Sequence, residues 1–249
     1  MLLREFKLDS LVGSAVQFHD QLNPKLWRGR ELEPKVRYKL LKIAKHFIDF
    51  INIPSVRLRD VTISGSNAAY TYTATSDIDL HLVVDIPRAA EYHLKPLFDA
   101  KKNQYNFNHD VKIHGIDVEV YVQPSTDTHH SAGIYSVLDN NWISAPKAEK
   151  ASIDSSDVEL KVKSYLNKIK MALRTRDLEA ANAIKDEIGK LRKAGLERAG
   201  EFSVENIAFK VLRAKGYIDQ LRQHIYDLED EALSLENMYE TQRNYSTRT

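Results

Sequence analysis

The stretch of sequence that decides the fold lies between two strand candidates and reads Gly65-Ser66-Asn67-Ala68-Ala69-Tyr70-Thr71-Tyr72-Thr73-Ala74-Thr75-Ser76-Asp77-Ile78-Asp79-Leu80. Before it, Val61-Thr62-Ile63 is a short run typical of a strand. After Asp77, every second residue from 78 through 84 is apolar, which predicts a longer strand with one buried face. The opposite face then carries Asp77, Asp79 and His81.

The two aspartates are candidates for a metal site. Carboxylates two residues apart on a strand point the same way, and bringing them together is costly unless a cation neutralises them. Magnesium prefers carboxylate oxygens and substrate phosphates, so Asp77 and Asp79 suit a metal clamp for phosphoryl transfer. The plain alternative is that both line the hydrated face of an edge strand. His81 is in phase with them and either contacts a ligand or carboxylate or is a packed strand histidine.

Helices and a second acidic strand flank this stretch. Apolar residues at steps of three and four predict a helix over residues 34–52. A second helix is predicted over 87–102, where Pro96 is expected to kink or end it. His114-Gly115 is typical of a hairpin turn, and the strand over 116–122 that follows carries on one face Asp117, Glu119 and Tyr121.

Gly65 and Ser66 add a phosphate-binding element, because glycine lets backbone amides approach a phosphate and serine adds a donor. At this spacing from Asp77-Ile78-Asp79, the pair resembles the signature of the DNA polymerase β-like nucleotidyltransferase superfamily. The similarity covers about residues 32–124 and is closest at Ser76-Asp77-Ile78-Asp79-Leu80. The Tyr70-Thr71-Tyr72-Thr73 stretch is similar to phage-encoded members.

The resemblance implies an α+β fold, in which a small mixed nucleotidyltransferase-like sheet is flanked by helices and followed by an α-helical bundle. It also implies a magnesium-dependent enzyme, with manganese as an alternative ion. Such an enzyme moves a nucleoside monophosphate from a nucleoside triphosphate such as ATP to an acceptor and releases pyrophosphate. The acceptor could be RNA, a small molecule or a protein.

Site residues follow from the same resemblance. Asp77 and Asp79 would hold metal, while Gly65 and Ser66, together with Ser76, would contact the nucleotide. The third carboxylate is Glu119 or Asp117, since both lie on one strand face. The family's spacing to the strand end favours Glu119.

One departure from the family's pattern keeps a second function open. Asn67, Ala69 and Tyr70 stand where small members of the superfamily often carry arginines and a second glycine. The alternative is a non-catalytic adaptor or antitoxin-like interaction protein that keeps the fold and works through its helices. Two aromatic residues further along either stack on a nucleobase or pack in the core, namely Tyr135 and Trp142.

The remainder of the chain predicts a helical domain over residues 151–249, after a catalytic domain with N-terminal helices over residues 1–150. Three apolar stripes indicate one-faced helices, the third a single helix over 207–228, with a connection over 192–202. These helices form an intramolecular bundle or a homo-oligomer. A basic cluster is either a solvated face or an RNA contact, and comprises Lys185, Lys190, Arg192, Lys193 and Arg198.

Composition narrows the classes of protein further. The 249 residues contain no cysteine, which excludes disulfide scaffolds and cysteine-ligated metals. Lys and Arg number 36 against 35 Asp and Glu, so no global field favours nucleic acid or a membrane surface. No apolar run is long enough to span a membrane, and the first nine residues mix charges with apolar residues, which favours a cytoplasmic location.

Overall fold

The computed structural model describes residues 17–127, 131–148 and 155–234. These residues belong to two compact units, one within residues 16–151 and one within 152–249. The terminal parts of both predicted domains, residues 1–16 and 235–249, lie outside the described residues. The fold class is confirmed, because a mixed sheet with flanking helices occupies the first unit and a group of helices occupies the second.

The first unit is built on a mixed sheet. A small hairpin pairs β1 (Trp27–Arg28) with β2 (Glu31–Leu32). The sheet contains β3 (Arg57–Ser64), β4 (Ile78–Asp85), β5 (Lys112–Ile113), β6 (Ile116–Pro124), β7 (Ile134–Ser136) and β8 (Asn141–Ser144). Its strand order is β5-β6-β4-β3-β7-β8, with β4 and β6 parallel and the other neighbours antiparallel. The candidate site therefore lies on central strands.

The predicted strand patterns are confirmed. In β4 the predicted apolar face is buried, and it consists of Ile78, Leu80, Leu82 and Val84. At the hairpin before β6, His114 and Gly115 have φ of 50° and 78°, the positive values that a type I′ turn requires. Alternation and turn chemistry thus act locally, as the sequence predicts.

Helix α1 (Pro34–Ile51) matches its prediction. The Glu33 side chain accepts hydrogen bonds from the amides of Lys35 and Val36, and the helix ends at Asn52 in the left-handed conformation, φ 48°. Its buried face packs in the core of the unit and consists of Val36, Leu40, Ala44, Phe47 and Ile51.

Helix α2 (Arg88–Asn108) corrects a prediction, since it contains Pro96 and extends six residues past the predicted end at residue 102. Contacts late in the helix explain the extension. Tyr105 is buried, and Asn106 bonds both backbone groups of Val120 in β6, accepting at 3.2 Å and donating at 3.3 Å. Packing outweighs the loss that one proline causes.

Of the aromatic residues after β6, Tyr135 belongs to the core, and Trp142 is half-buried and packs against it. Tyr135 in β7 is buried, and the Trp142 ring stacks on Trp27 with centroids 4.8 Å apart. Tyr135 meets Trp27 edge to face at 5.0 Å. The nucleobase-stacking alternative for Tyr135 and Trp142 is therefore replaced by core packing.

The second unit is helical. It contains α3 (Ser155–Ala172), α4 (Leu178–Ala199), a 3-10 turn (Gly200–Phe202), α5 (Val204–Ala214) and α6 (Tyr217–Leu233). The predicted connection over 192–202 is wrong at its start, because α4 continues to Ala199. The third stripe is two helices, since Gly216 is left-handed with φ 75° and interrupts it. Among the helices of the described residues, none has the length and apolar character that crossing a membrane requires.

Candidate functional site

The Gly65 turn places Asp79 at the end of β3. Ser64 is the register partner of Asp79, and Gly65 follows with φ 72° and ψ −162°. A Cβ atom added to Gly65 would lie 2.1 Å from Asp79 Oδ2. Only glycine therefore allows the backbone to turn there with the Asp79 carboxylate against it.

The register of the parallel strands brings a second carboxylate beside Asp79. Asp79 in β4 is the partner of Glu119 in β6, and both side chains are half-buried. Neighbouring strands lie about 4.8 Å apart, and register partners project to the same face. Asp77 precedes the first residue of β4. The structure thus places Asp79 and Glu119 side by side.

Asp117, the alternative third carboxylate, has a different environment. It is the register partner of Lys112 in β5, and the Lys112 Nζ lies 2.9 Å from its Oδ1. The Asp117 side chain is 63% exposed. Asp117 therefore forms its ion pair with a lysine of the edge strand.

Tyr121 is bonded to Glu119, a role that sequence reasoning did not assign although it placed both residues on one strand face. Its hydroxyl donates a hydrogen bond of 2.5 Å to Glu119 Oε2. Burial raises the pKa of Tyr121 far above its usual range, and the negative charges of Asp79, Glu119 and Asp77 raise it further. The three predicted carboxylates therefore act on one hydroxyl, which stays protonated.

His81 and Lys102 hold the Tyr121 ring. The His81 ring stacks on it with centroids 5.0 Å apart, and Lys102 Nζ lies 4.4 Å from the Tyr121 centroid. His81 Nε2 also lies 3.2 Å from Ser64 Oγ. Lys102, from α2, places a cation over this ring, and no sequence pattern indicated that contact.

The two predicted nucleotide-contacting serines bond each other. Ser66 Oγ donates to Ser76 Oγ at 2.8 Å, and the Thr73 amide donates to the same oxygen at 2.9 Å. These bonds close the ten-residue interval between Gly-Ser and the first aspartate. Ser66 and Ser76 therefore hold the loop in its conformation. The Gly65 amide has a separate partner and donates to Ser131 Oγ at 3.0 Å.

Asn67 is the second residue that sequence reasoning missed. It is buried, and its Nδ2 donates to the carbonyl oxygens of Asp77 at 2.7 Å and Ser76 at 3.2 Å. Its Oδ1 accepts from Asn23 at 2.8 Å, and its carbonyl accepts from Trp27 Nε1 at 2.8 Å. Its position directly after Gly65-Ser66 is the one signal in the sequence. Asn67 fixes the backbone that presents the first aspartate.

The donor set fits a hard divalent cation, because the converging groups are carboxylate oxygens and one of them seats against a glycine. Within residues 17–127, 131–148 and 155–234, no three acidic or histidine side chains already stand close enough to hold a metal ion. A cavity of about 250 Å³ adjoins Glu119. Its other lining residues include Asn106, Phe107, His109, Asp117 and Val118.

Comparisons with known proteins add little to this geometry. No protein-family model and no curated protein matches the sequence. Among solved structures, the STING-associated CdnE c-di-GMP synthase from Capnocytophaga granulosa is similar at 11% identity and a TM-score of 0.24, over 81% of this chain and 83% of that chain. At that TM-score the similarity carries no argument. The assignment of the fold therefore rests on the strand topology described above, and any proposal of function rests on the site residues.

Proposed function

We propose that the chain is a metal-dependent nucleotidyltransferase that moves a nucleoside monophosphate from a nucleoside triphosphate to an acceptor and releases pyrophosphate. The observation that carries the proposal is the seating of the Asp79 carboxylate against Gly65, in register with Glu119. A glycine turn with one carboxylate seated against it and a second carboxylate in register offers oxygen ligands for a divalent cation.

Asp77, Asp79 and Glu119 would hold the metal. Magnesium or manganese bound there would offset phosphate charge and lower the pKa of the attacking hydroxyl. Glu119 is preferred over Asp117 because it lies in register with Asp79, whereas Asp117 pairs with Lys112. The described carboxylates share the electrostatic environment of Tyr121, which supports their acting together.

The chain's own groups would orient the reactants. Tyr121 donates to Glu119 Oε2, which holds that carboxylate in one orientation and leaves its other oxygen for a ligand or an acceptor proton. The Gly65 turn would receive the phosphates, with the Ser66 hydroxyl within the same turn. The cavity beside Glu119 would receive the acceptor hydroxyl.

The test is pyrophosphate release by the full chain with magnesium or manganese, each nucleoside triphosphate, and RNA or protein extract as acceptor. We expect Asp79→Asn to reduce release at least about 100-fold, because it removes a ligand charge at constant volume. Asp85→Asn is the matched control, since Asp85 lies on the same strand and is exposed at its end. Equal activity of Asp79→Asn and the unaltered protein would contradict the proposal.

A non-catalytic adaptor is the second candidate, favoured by two observations. The Asn67 side chain makes structural hydrogen bonds just after Gly-Ser, where small members of the superfamily that the chain resembles often carry arginines. Among the described residues, the carboxylates also do not form a group of three that could hold a metal ion. An adaptor would show no thermal shift with magnesium and triphosphate and a stable complex in a pull-down. A metal-dependent thermal shift that disappears in Asp79→Asn would exclude it.

A further inference from the structure

A cavity in the helical unit is lined by none of the residues assigned to nucleotidyl transfer. Its volume is about 530 Å³, within the range of small-molecule sites. One wall is a single face of α4, and Phe209 of α5 and Leu221 of α6 contribute to the apolar lining. The cavity is formed entirely within residues 185–222.

Gly189 lines this cavity and has no structural requirement for glycine. It lies in the middle of the 22-residue α4, where glycine is less favourable than alanine. A Cβ added there would meet nothing within 4 Å. Gly195, in the same helix, differs, because a Cβ there would meet Glu205 and Ser203 below 3.0 Å. Close packing therefore explains why residue 195 is glycine. At residue 189 glycine instead leaves open space in the cavity.

Charge around the cavity is one-sided. One acidic residue, Asp186, lines it together with five basic residues, namely Lys185, Lys190, Arg192, Lys193 and Arg222. The Lys193–Glu197 contact at 3.9 Å and the Arg222–Asp219 contact at 3.6 Å are exposed surface pairs, which hold their cations weakly. The lining therefore attracts an anion.

Arg192 contributes a planar guanidinium group to the cavity lining. Its guanidinium lies 4.3 Å from the Phe209 ring centroid, and its Nε donates to Asn206 Oδ1 at 3.0 Å. A guanidinium held in this way is a stacking surface for an aromatic ring as well as a cation. The cavity thus has basic residues suited to a phosphate, together with an apolar lining and a fixed planar group suited to a base. These are the two chemical parts of a nucleotide.

We propose that this cavity binds a nucleotide unit, either a free nucleotide or a nucleotide of single-stranded RNA. The basic residues would contact phosphate, and Arg192 with the apolar lining would contact the base. The structure assembles this set from three helices, whereas the sequence shows only the α4 cations interleaved with acidic residues. The site is independent of Asp77, Asp79 and Glu119.

The test is fluorescence anisotropy of the full chain with fluorescein-labelled decauridylate in EDTA, so that no metal-dependent site contributes. We expect Lys190→Glu combined with Arg222→Glu to weaken binding at least about tenfold, and affinity to fall as salt rises. Arg174→Glu, an exposed cation of the same unit outside the cavity, is the matched control and should change affinity less than about twofold.

Gly189 provides a second, charge-neutral test. Gly189→Ala adds a methyl group in open space and should raise the melting temperature with little change in binding, whereas Gly189→Leu should obstruct part of the cavity and weaken binding about tenfold. Competition by AMP supports a free-nucleotide site, and RNA binding without such competition supports an RNA site. No binding, equal binding of poly-glutamate, or unchanged affinity in both Gly189→Leu and the charge variant would overturn the proposal.

Discussion

Gly65→Ala is the substitution that most directly tests the geometry of the site. The Gly65 backbone has φ 72° and ψ −162°, a conformation that is essentially restricted to glycine and costs other residues about 1–3 kcal/mol. The new Cβ would also lie 2.1 Å from Asp79 Oδ2. Because non-bonded contacts are about 3.5 Å or longer, the carboxylate would have to move by more than about 1 Å.

Two consequences follow from these values. We expect the free energy of unfolding of the α+β unit to fall by about 1–3 kcal/mol from backbone strain. We also expect pyrophosphate release to fall about 100-fold, since a displacement of about 1 Å at a reacting group has an effect of that size. Both tryptophans, Trp27 and Trp142, lie in this unit, so denaturant unfolding followed by tryptophan fluorescence reports on it.

Matched variants separate strain from the clash with Asp79. Gly29→Ala also places a side chain at positive φ, here 63°, but a Cβ there meets nothing within 4 Å, so it should lower stability and keep activity. Asp79→Ala in the Gly65→Ala background removes the clashing oxygen but keeps the backbone strain, so it should recover only the part of the stability loss that exceeds about 1–3 kcal/mol, and it should recover no activity. If Gly65→Ala were as stable and as active as the unaltered chain, the reasoning about this turn would be refuted.

Three further predictions concern residues around the carboxylates. Tyr121→Phe should weaken metal affinity about 10–100-fold in a metal titration of activity. Because burial raises the pKa of Tyr121, the free energy of unfolding of the unaltered chain should fall as pH rises above about 10. In Tyr121→Phe this fall should be shallower by about 1.4 kcal/mol per pH unit, measured by denaturant titrations. Asn67→Ala removes three side-chain hydrogen bonds and should lower the free energy of unfolding by about 2–4 kcal/mol, measured by tryptophan fluorescence, with a loss below 0.5 kcal/mol refuting its clamping role. Glu119→Gln should reduce turnover at least about 100-fold, whereas Asp117→Asn, which breaks only an exposed pair with Lys112, should change it less than about twofold, and the reverse order in the same assay would exchange the two roles.

Much of the fold was predictable from the sequence because the relevant signals are local. Alternation over residues 78–84 specifies which face of β4 is buried, and Pro34 with Asn52 marks the ends of α1. Two failed predictions have different causes, one a contact distant in sequence and the other a local glycine. Helix α2 continues past residue 102 because Asn106 bonds Val120, and Gly216 divides a stripe whose periodicity alone suggested one helix.

The candidate site divides in the same way. The spacing of Gly65-Ser66 and Asp77-Ile78-Asp79 identified the turn and the acidic strand, since both lie within one short segment. The roles of Asn67 and Tyr121 were invisible in the sequence, because the groups they bond come from other elements or depend on side-chain orientation.

The sequence by itself determined the α+β class, the acidic strand faces and the glycine turn, because periodicity and turn conformation depend on neighbouring residues. Tertiary structure alone decided that Glu119 stands beside Asp79, that Asp117 pairs with Lys112, and that Arg222 joins the cations of α4 around Gly189. Strand register and helix packing are set by burial of apolar faces across the whole unit, so side chains far apart in sequence meet only once those faces are joined.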